Sequence, residues 1–153
     1  MAGKFRQTKF DPIMIISQIA AMQCLLYLSA IVLMTVIDVV SGENFVLDQL
    51  FEYRQVHVSN AGVILTYLVN ALVGALLLWI VVRRTKLCLD FSFTWHLFHL
   101  IICWWYSQSF PTTFSWWLLN IACATLMCIT GEFLCLKTEL QEIPVGYLKL
   151  TEV

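Results

Sequence analysis

Long apolar stretches separated by short polar connections set the rhythm of this chain. Residues 13–37 carry no charge and are long enough to cross a hydrocarbon core of ~30 Å with some tilt. Residues 61–82 form a second uncharged stretch, followed at once by Arg83, Arg84 and Lys86. A third runs over 87–106, with Asp90 near its start, and a fourth over 114–136, broken only by Glu132. An uncharged turn at 107–113, containing Phe110-Pro111, joins the last two. The connection at 38–60 is polar and carries Asp38, Glu43, Asp48, Glu52 and Arg54. Within it Leu47, Leu50, Phe51 and Arg54 share a face, which predicts a short helix lying in the membrane interface.

Composition turns these stretches into spans. Of 153 residues, 60% are hydrophobic and 12% charged, and the mean hydropathy is +0.81. A water-soluble chain of this length has too little core volume to hide so much apolar surface, so the bilayer is its solvent. The expected fold is all-α: one polytopic membrane domain over 1–153, its four transmembrane helices arranged as two hairpins. The first span is too long for the apolar core of a cleaved signal peptide and reads as a retained helix. Alanine rather than glycine follows Met1, so the myristoylation pattern is absent.

Charge orients the spans. Placing both termini (tails 1–12 and 137–153) and the loop at 83–86 in the cytosol puts eight of the nine basic residues there, leaving Arg54 opposite. Trp104, Trp105, Tyr106, Trp116 and Trp117 then flank the luminal turn, where amphipathic rings sit among headgroups. A net charge of -1 leaves no basic face for nucleic acid. None of the six cysteines falls in a luminal connection, so no luminal disulfide framework is expected. Cys88 and Cys135 lie at the cytosolic membrane edge, as sites of palmitoylation or as small apolar fillers.

Candidate chemistry concentrates in the third span. Ser92, His96, His99, Cys103 and Tyr106 follow one another at steps of four and three, which places them on one stripe of one helix. Such a stripe most often makes hydrogen bonds to other helices of its bundle. A metal site is the sharper reading of His96, His99 and Cys103, but the set is partial and would need Cys123 or Cys128 from another helix. A proton or ion pathway would need ionisable groups at mid-membrane, and besides the histidines the spans offer Gln18, Gln23, Asn70 and Asn120. Asp90 and Glu132 lie near the cytosolic ends of their spans, at a depth that allows them to meet His96, Arg83 or Arg84. Small residues at steps of four (Ser17 with Ala21, Asn70 with Gly74, Ala71 with Ala75) fit close helix packing, within a bundle or a homo-oligomer. The final Thr151-Glu152-Val153 matches a ligand of PDZ type. No nucleophile elbow, phosphate-binding glycine loop or HExxH pattern is present, so neither a catalytic residue nor a cofactor or metal is expected.

An ordered series of residues resembles the Sys family of Golgi trafficking proteins. It starts with Asp11-Pro12, Ser17-Gln18, Leu47-Asp48-Gln49, Arg83-Arg84 and Cys88-Leu89-Asp90-Phe91, with Thr94, His96 and His99 next. It continues through Cys103-Trp104, Tyr106, Phe110-Pro111, Trp116-Trp117, Gly131-Glu132 and Leu134-Cys135, closing with Thr138-Glu139-Leu140 and Glu142-Ile143-Pro144. The resemblance implies a small four-span receptor that brings an N-terminally acetylated Arf-like GTPase to the trans-Golgi, in support of tethering and of endosome-to-Golgi and post-Golgi transport. A GTPase with an uncharged, acetylated N-terminus has to approach from the cytosolic side. Arg83, Arg84, Asp90, His96 and Glu132 are the candidate lining of a cleft that accepts it. The competing reading is a small transporter or metal-handling protein that uses the His96, His99 and Cys103 stripe.

Overall fold

The computed structural model describes residues 12–42, 48–56 and 60–141. Helix α1 (Pro12–Ser41) leads to a short helix α2 (Asp48–Phe51) and a 3₁₀ turn at Tyr53–Gln55. Helix α3 (Ala61–Leu77) continues through a π-helical stretch, Leu78–Val82, and is followed by α4 (Thr85–Ser107) and α5 (Phe114–Gln141). Among the described residues there is no strand, and four helices are long and apolar enough to cross a membrane. The amino-terminal tail, Leu47, and the carboxy-terminal Thr151-Glu152-Val153 lie outside the described residues.

Sequence chemistry explains three of the helix ends. Pro12 opens α1, where its missing N–H and fixed φ cost nothing. Gly42 closes it at φ +75°. The Asn60 side chain accepts from the Val63 N–H at the start of α3. Lipid-facing hydroxyls are satisfied locally: Ser17, Thr35, Thr94 and Thr125 each donate to the carbonyl four residues back.

The helices alternate in direction. Pro12, the corner at 83–85 and Gln141 gather at one end, called here the near end, while α2 and the 108–113 turn close the far end. The hairpins α1–α3 and α4–α5 pack along their lengths, and the seam between them is α3 against α5. These two run parallel. Their close approach depends on small residues: Ala71, Gly74 and Ala75 are buried, and a Cβ on Gly74 would stand 2.8 Å from Met127 Sδ. Ser17, by contrast, is exposed, so the Ser17/Ala21 pair does not serve this packing. A belt of exposed apolar side chains, among them Val32, Leu72, Ile101 and Ile129, faces outward on every span, as lipid solvent requires.

The helices extend beyond the hydropathic stretches. α1 runs to Ser41 and buries Asp38, which the charge pattern assigns to the connection. α2 packs onto the bundle through Leu50. Leu50, Tyr53 and Val56 are buried, so this segment plugs the far end of the bundle, and Arg54 points away, pairing at 3.8 Å with Glu52.

Candidate functional site

At the near end, the π-helical stretch sets the geometry of a tight corner. Its widened turn closes with the Arg83 N–H on the Leu78 carbonyl at 3.0 Å, and Arg83 takes the left-handed conformation at φ 57°. The Gln18 side-chain amide, from α1, donates to the Val81 carbonyl at 2.9 Å, supplying a donor at this helix end. Helix α4 then begins with no cap from Arg84's side chain. Glu139 of α5 takes that role: the Thr85 N–H and hydroxyl donate to its two carboxylate oxygens at 3.1 and 2.8 Å. An anion at a helix N-terminus satisfies amide donors and meets the positive end of the helix dipole. One turn back, Trp79 Nε1 donates to the Thr138 hydroxyl at 2.7 Å. Gly131 admits Leu78, whose Cδ1 would lie 2.8 Å from an added Cβ.

The candidate partner residues stand around this corner. Arg83, Arg84 and Asp90 are exposed and Glu132 is half-buried, its carboxylate accepting from the Cys128 thiol at 3.5 Å. Among the described residues no ion pair links Asp90 or Glu132 to either arginine. His96 lies deeper, six residues beyond Asp90, or about 9 Å along the helix axis. It is half-buried, and its Nδ1–H donates to the Ser92 carbonyl at 2.8 Å. Cys88 and Cys135 turn toward each other across α4 and α5, with their sulfurs 3.6 Å apart and both side chains buried. They pack as apolar fillers toward the near end of the bundle, with neither sulfur on the outer surface.

The polar stripe of α4 divides by depth. Ser92, His99 and Cys103 are buried, while Tyr106 is exposed and donates a short hydrogen bond to Asp48 of α2. His99 is the hub. Its ring lies nearly parallel to Trp95 and Trp116, at 15° and 18°. The hydrogens follow from the acceptors. The Tyr67 hydroxyl donates to the Leu50 carbonyl at 2.8 Å, so it accepts from His99 Nε2–H at 3.3 Å. His99 Nδ1 then accepts from the Tyr27 hydroxyl at 3.4 Å. One relay therefore runs from α1 through α4 and α3 to the far-end plug. With both ring nitrogens bonded to tyrosines, His99 is not arranged as a metal ligand. Among the described residues no group of three or more His, Cys, Asp or Glu is placed to hold an ion.

Several of these partners escape sequence reasoning. Trp116 belongs, by position, to the interfacial belt, yet it is buried and stacks on His99, whereas Trp104 and Trp105 are exposed as expected. Tyr27 and Tyr67 carried a usable signal, since a tyrosine in an apolar span has a hydroxyl in need of a partner. Glu139 was visible only as part of a family-like series.

The fold and the corner together define a small polytopic membrane protein, built of two helical hairpins without a soluble domain among the described residues. A family model described as "Integral membrane protein S linking to the trans Golgi network" matches residues 5–145, and the chain belongs to this SYS1 family. It is 45% identical over 149 residues to a protein SYS1 homolog of Nematostella vectensis, covering 95% of this chain and 94% of that one. A homolog from Dictyostelium discoideum is 35% identical over 92% of this chain and 62% of its own length. Protein SYS1 of Saccharomyces cerevisiae is 29% identical over 90% of this chain and 70% of its own. No solved structure matches.

Proposed function

We propose that this protein is a trans-Golgi membrane receptor and scaffold that recruits an N-terminally acetylated Arf-like GTPase, and thereby supports vesicle tethering and endosome-to-Golgi and post-Golgi transport. The observation that carries the reading is the family match over nearly the whole chain, under a description that names a link to the trans-Golgi network. The near end, with Arg83, Arg84, Lys86 and Lys137, is taken as cytosolic. It offers exposed cations and a helix corner held by side chains, where a protein partner finds a fixed surface. Asp90 and Glu132 add acceptors on the first turns in from that end, and His96 lies deeper on α4. The reading assigns the chain no catalytic step.

The test replaces Asp90 or Glu132 by alanine in cells that lack the native protein. Loss of Golgi recruitment of the GTPase, with normal expression of the variant, is the expected outcome. Full recruitment would remove those residues from the contact surface, and loss of the variant protein itself would mark them as part of the bundle's packing.

A further inference from the structure

A small, largely enclosed cavity lies between the four spans. Its volume is about 30 Å³, and all four spans and α2 line it. Four of its walls are buried and polar: Thr66, Asn70, His99 and Asn120. Asn70 and His96 stand near the middle of their spans, so the cavity lies deep in the hydrocarbon layer, where a polar group without a partner costs several kcal/mol.

The hydrogen bonds already made identify what is left over. Asn120 Nδ2–H donates to the Trp116 carbonyl at 2.9 Å, which leaves Oδ1 without a protein partner among the described residues. His96 Nδ1–H is committed to the Ser92 carbonyl, so in the neutral ring Nε2 is an acceptor only. One arm of the Asn70 amide is bonded to the Ser29 hydroxyl, and the other has no protein partner among the described residues. Thr66 directs its hydroxyl hydrogen to the Gly62 carbonyl and keeps lone pairs open. His99, on the same wall, has both nitrogens occupied.

We infer that this cavity is a hydration site, holding ordered water hydrogen-bonded to Asn70, His96 and Asn120 and so joining the two hairpins through solvent. Size and chemistry agree. A cavity needs roughly 10–15 Å³ of this kind of volume and two to four polar partners to keep one water, whereas an apolar void stays dry. A metal ion would need deprotonated or neutral ligands in a closed set, which the His99 relay does not leave. The groups left over suit a small neutral donor and acceptor, and water is the one a bilayer protein meets at all times. Asn70 belongs to one hairpin and His96 and Asn120 to the other, so the bound water lies on the seam where they would separate.

Radiolytic hydroxyl-radical footprinting of the full chain in lipid nanodiscs tests this, because radicals generated from a bound water oxidise the side chains beside it even when bulk solvent is excluded. Oxidation of Cys123, Tyr67 and His99 well above that of Met34 and Met22 is expected. Those methionines are intrinsically reactive, are buried at 1% and 2% exposure, and do not line the cavity. In the double variant Asn70→Leu, Asn120→Leu, folded by its melting curve, the labelling of Cys123 should be lost. Wild-type labelling at these residues no higher than at Met34 would overturn the proposal without reference to any variant. So would labelling that persists in a folded double variant.

Discussion

A hydroxyl buried within a membrane-spanning bundle needs a protein partner, because lipid offers none. Tyr67 is the clearest case: its hydroxyl accepts from His99 and donates to the Leu50 carbonyl, tying α3, α4 and the far-end plug at one oxygen. Tyr67→Phe leaves two buried groups unsatisfied while keeping the ring. The expected cost is about 1–3 kcal/mol, read as a lowered melting temperature in detergent, with faster amide exchange at 50–53 as the local sign. Tyr106→Phe removes an exposed hydrogen bond to Asp48 and should shift the melt by much less. An equal loss for the two would mean that the His99 relay carries no special weight. The exposed Arg83 backbone at φ 57° makes a further expectation. Glycine there relieves a left-handed conformation, so Arg83→Gly should leave stability unchanged or improve it, even if partner binding suffers.

At the scale of elements, two contacts fix the near-end corner from outside the helices they control. Glu139 caps α4 from α5, and Gly131 makes room for Leu78 in the π-helical stretch. Glu139→Leu should destabilise the chain by about 1–2 kcal/mol, in the range of a lost N-cap. Gly131→Val forces a branched side chain against Leu78, and overpacking of this kind costs about 1–3 kcal/mol. Both are measurable by chemical or thermal melting in one micelle system. Much of the element order was legible beforehand. Uncharged stretches located the four spans because lipid tolerates few charges, and the break after Val82 was visible in Arg83, Arg84 and Lys86. The loop read at 83–86 shortens to two residues, because α4 already begins at Thr85. The π-helical stretch was not, since nothing in LWIVV distinguishes bonds five residues back from bonds four back; the contacts that surround it, Gln18 on the Val81 carbonyl and Gly131 against Leu78, come from far off in sequence. Asp38 likewise ended the first stretch by charge, but the helix carries it inward for another turn. Trp116 was misplaced for a related reason: interfacial position says how deep a ring sits and nothing about whether it faces lipid or His99.

For the molecule as a whole, the bundle is two hairpins joined along a seam of small residues and polar contacts, with a lipid-facing belt outside. Such a seam is packed by Ala71, Gly74 and Ala75 and carries the polar side chains of Asn70 and Asn120 beside the cavity. Function on this scale depends on which end meets the cytosol. With the near end cytosolic, an impermeant thiol reagent applied to sealed Golgi vesicles should label Arg84→Cys and leave Gln108→Cys untouched until the membrane is opened. The reverse pattern would invert the orientation and remove the basic corner from a cytosolic partner. The stripe of Ser92, His96, His99, Cys103 and Tyr106 was legible as one face of α4, but its division into a buried relay, a half-buried cavity wall and an exposed contact to α2 needed the neighbouring helices. The central claim, that the chain recruits an Arf-like GTPase to the trans-Golgi, is tested most directly by imaging that GTPase in cells from which the protein has been removed. The account predicts that the GTPase leaves the Golgi for the cytosol and returns when the protein is re-expressed. A GTPase that stays on the Golgi in its absence would contradict it.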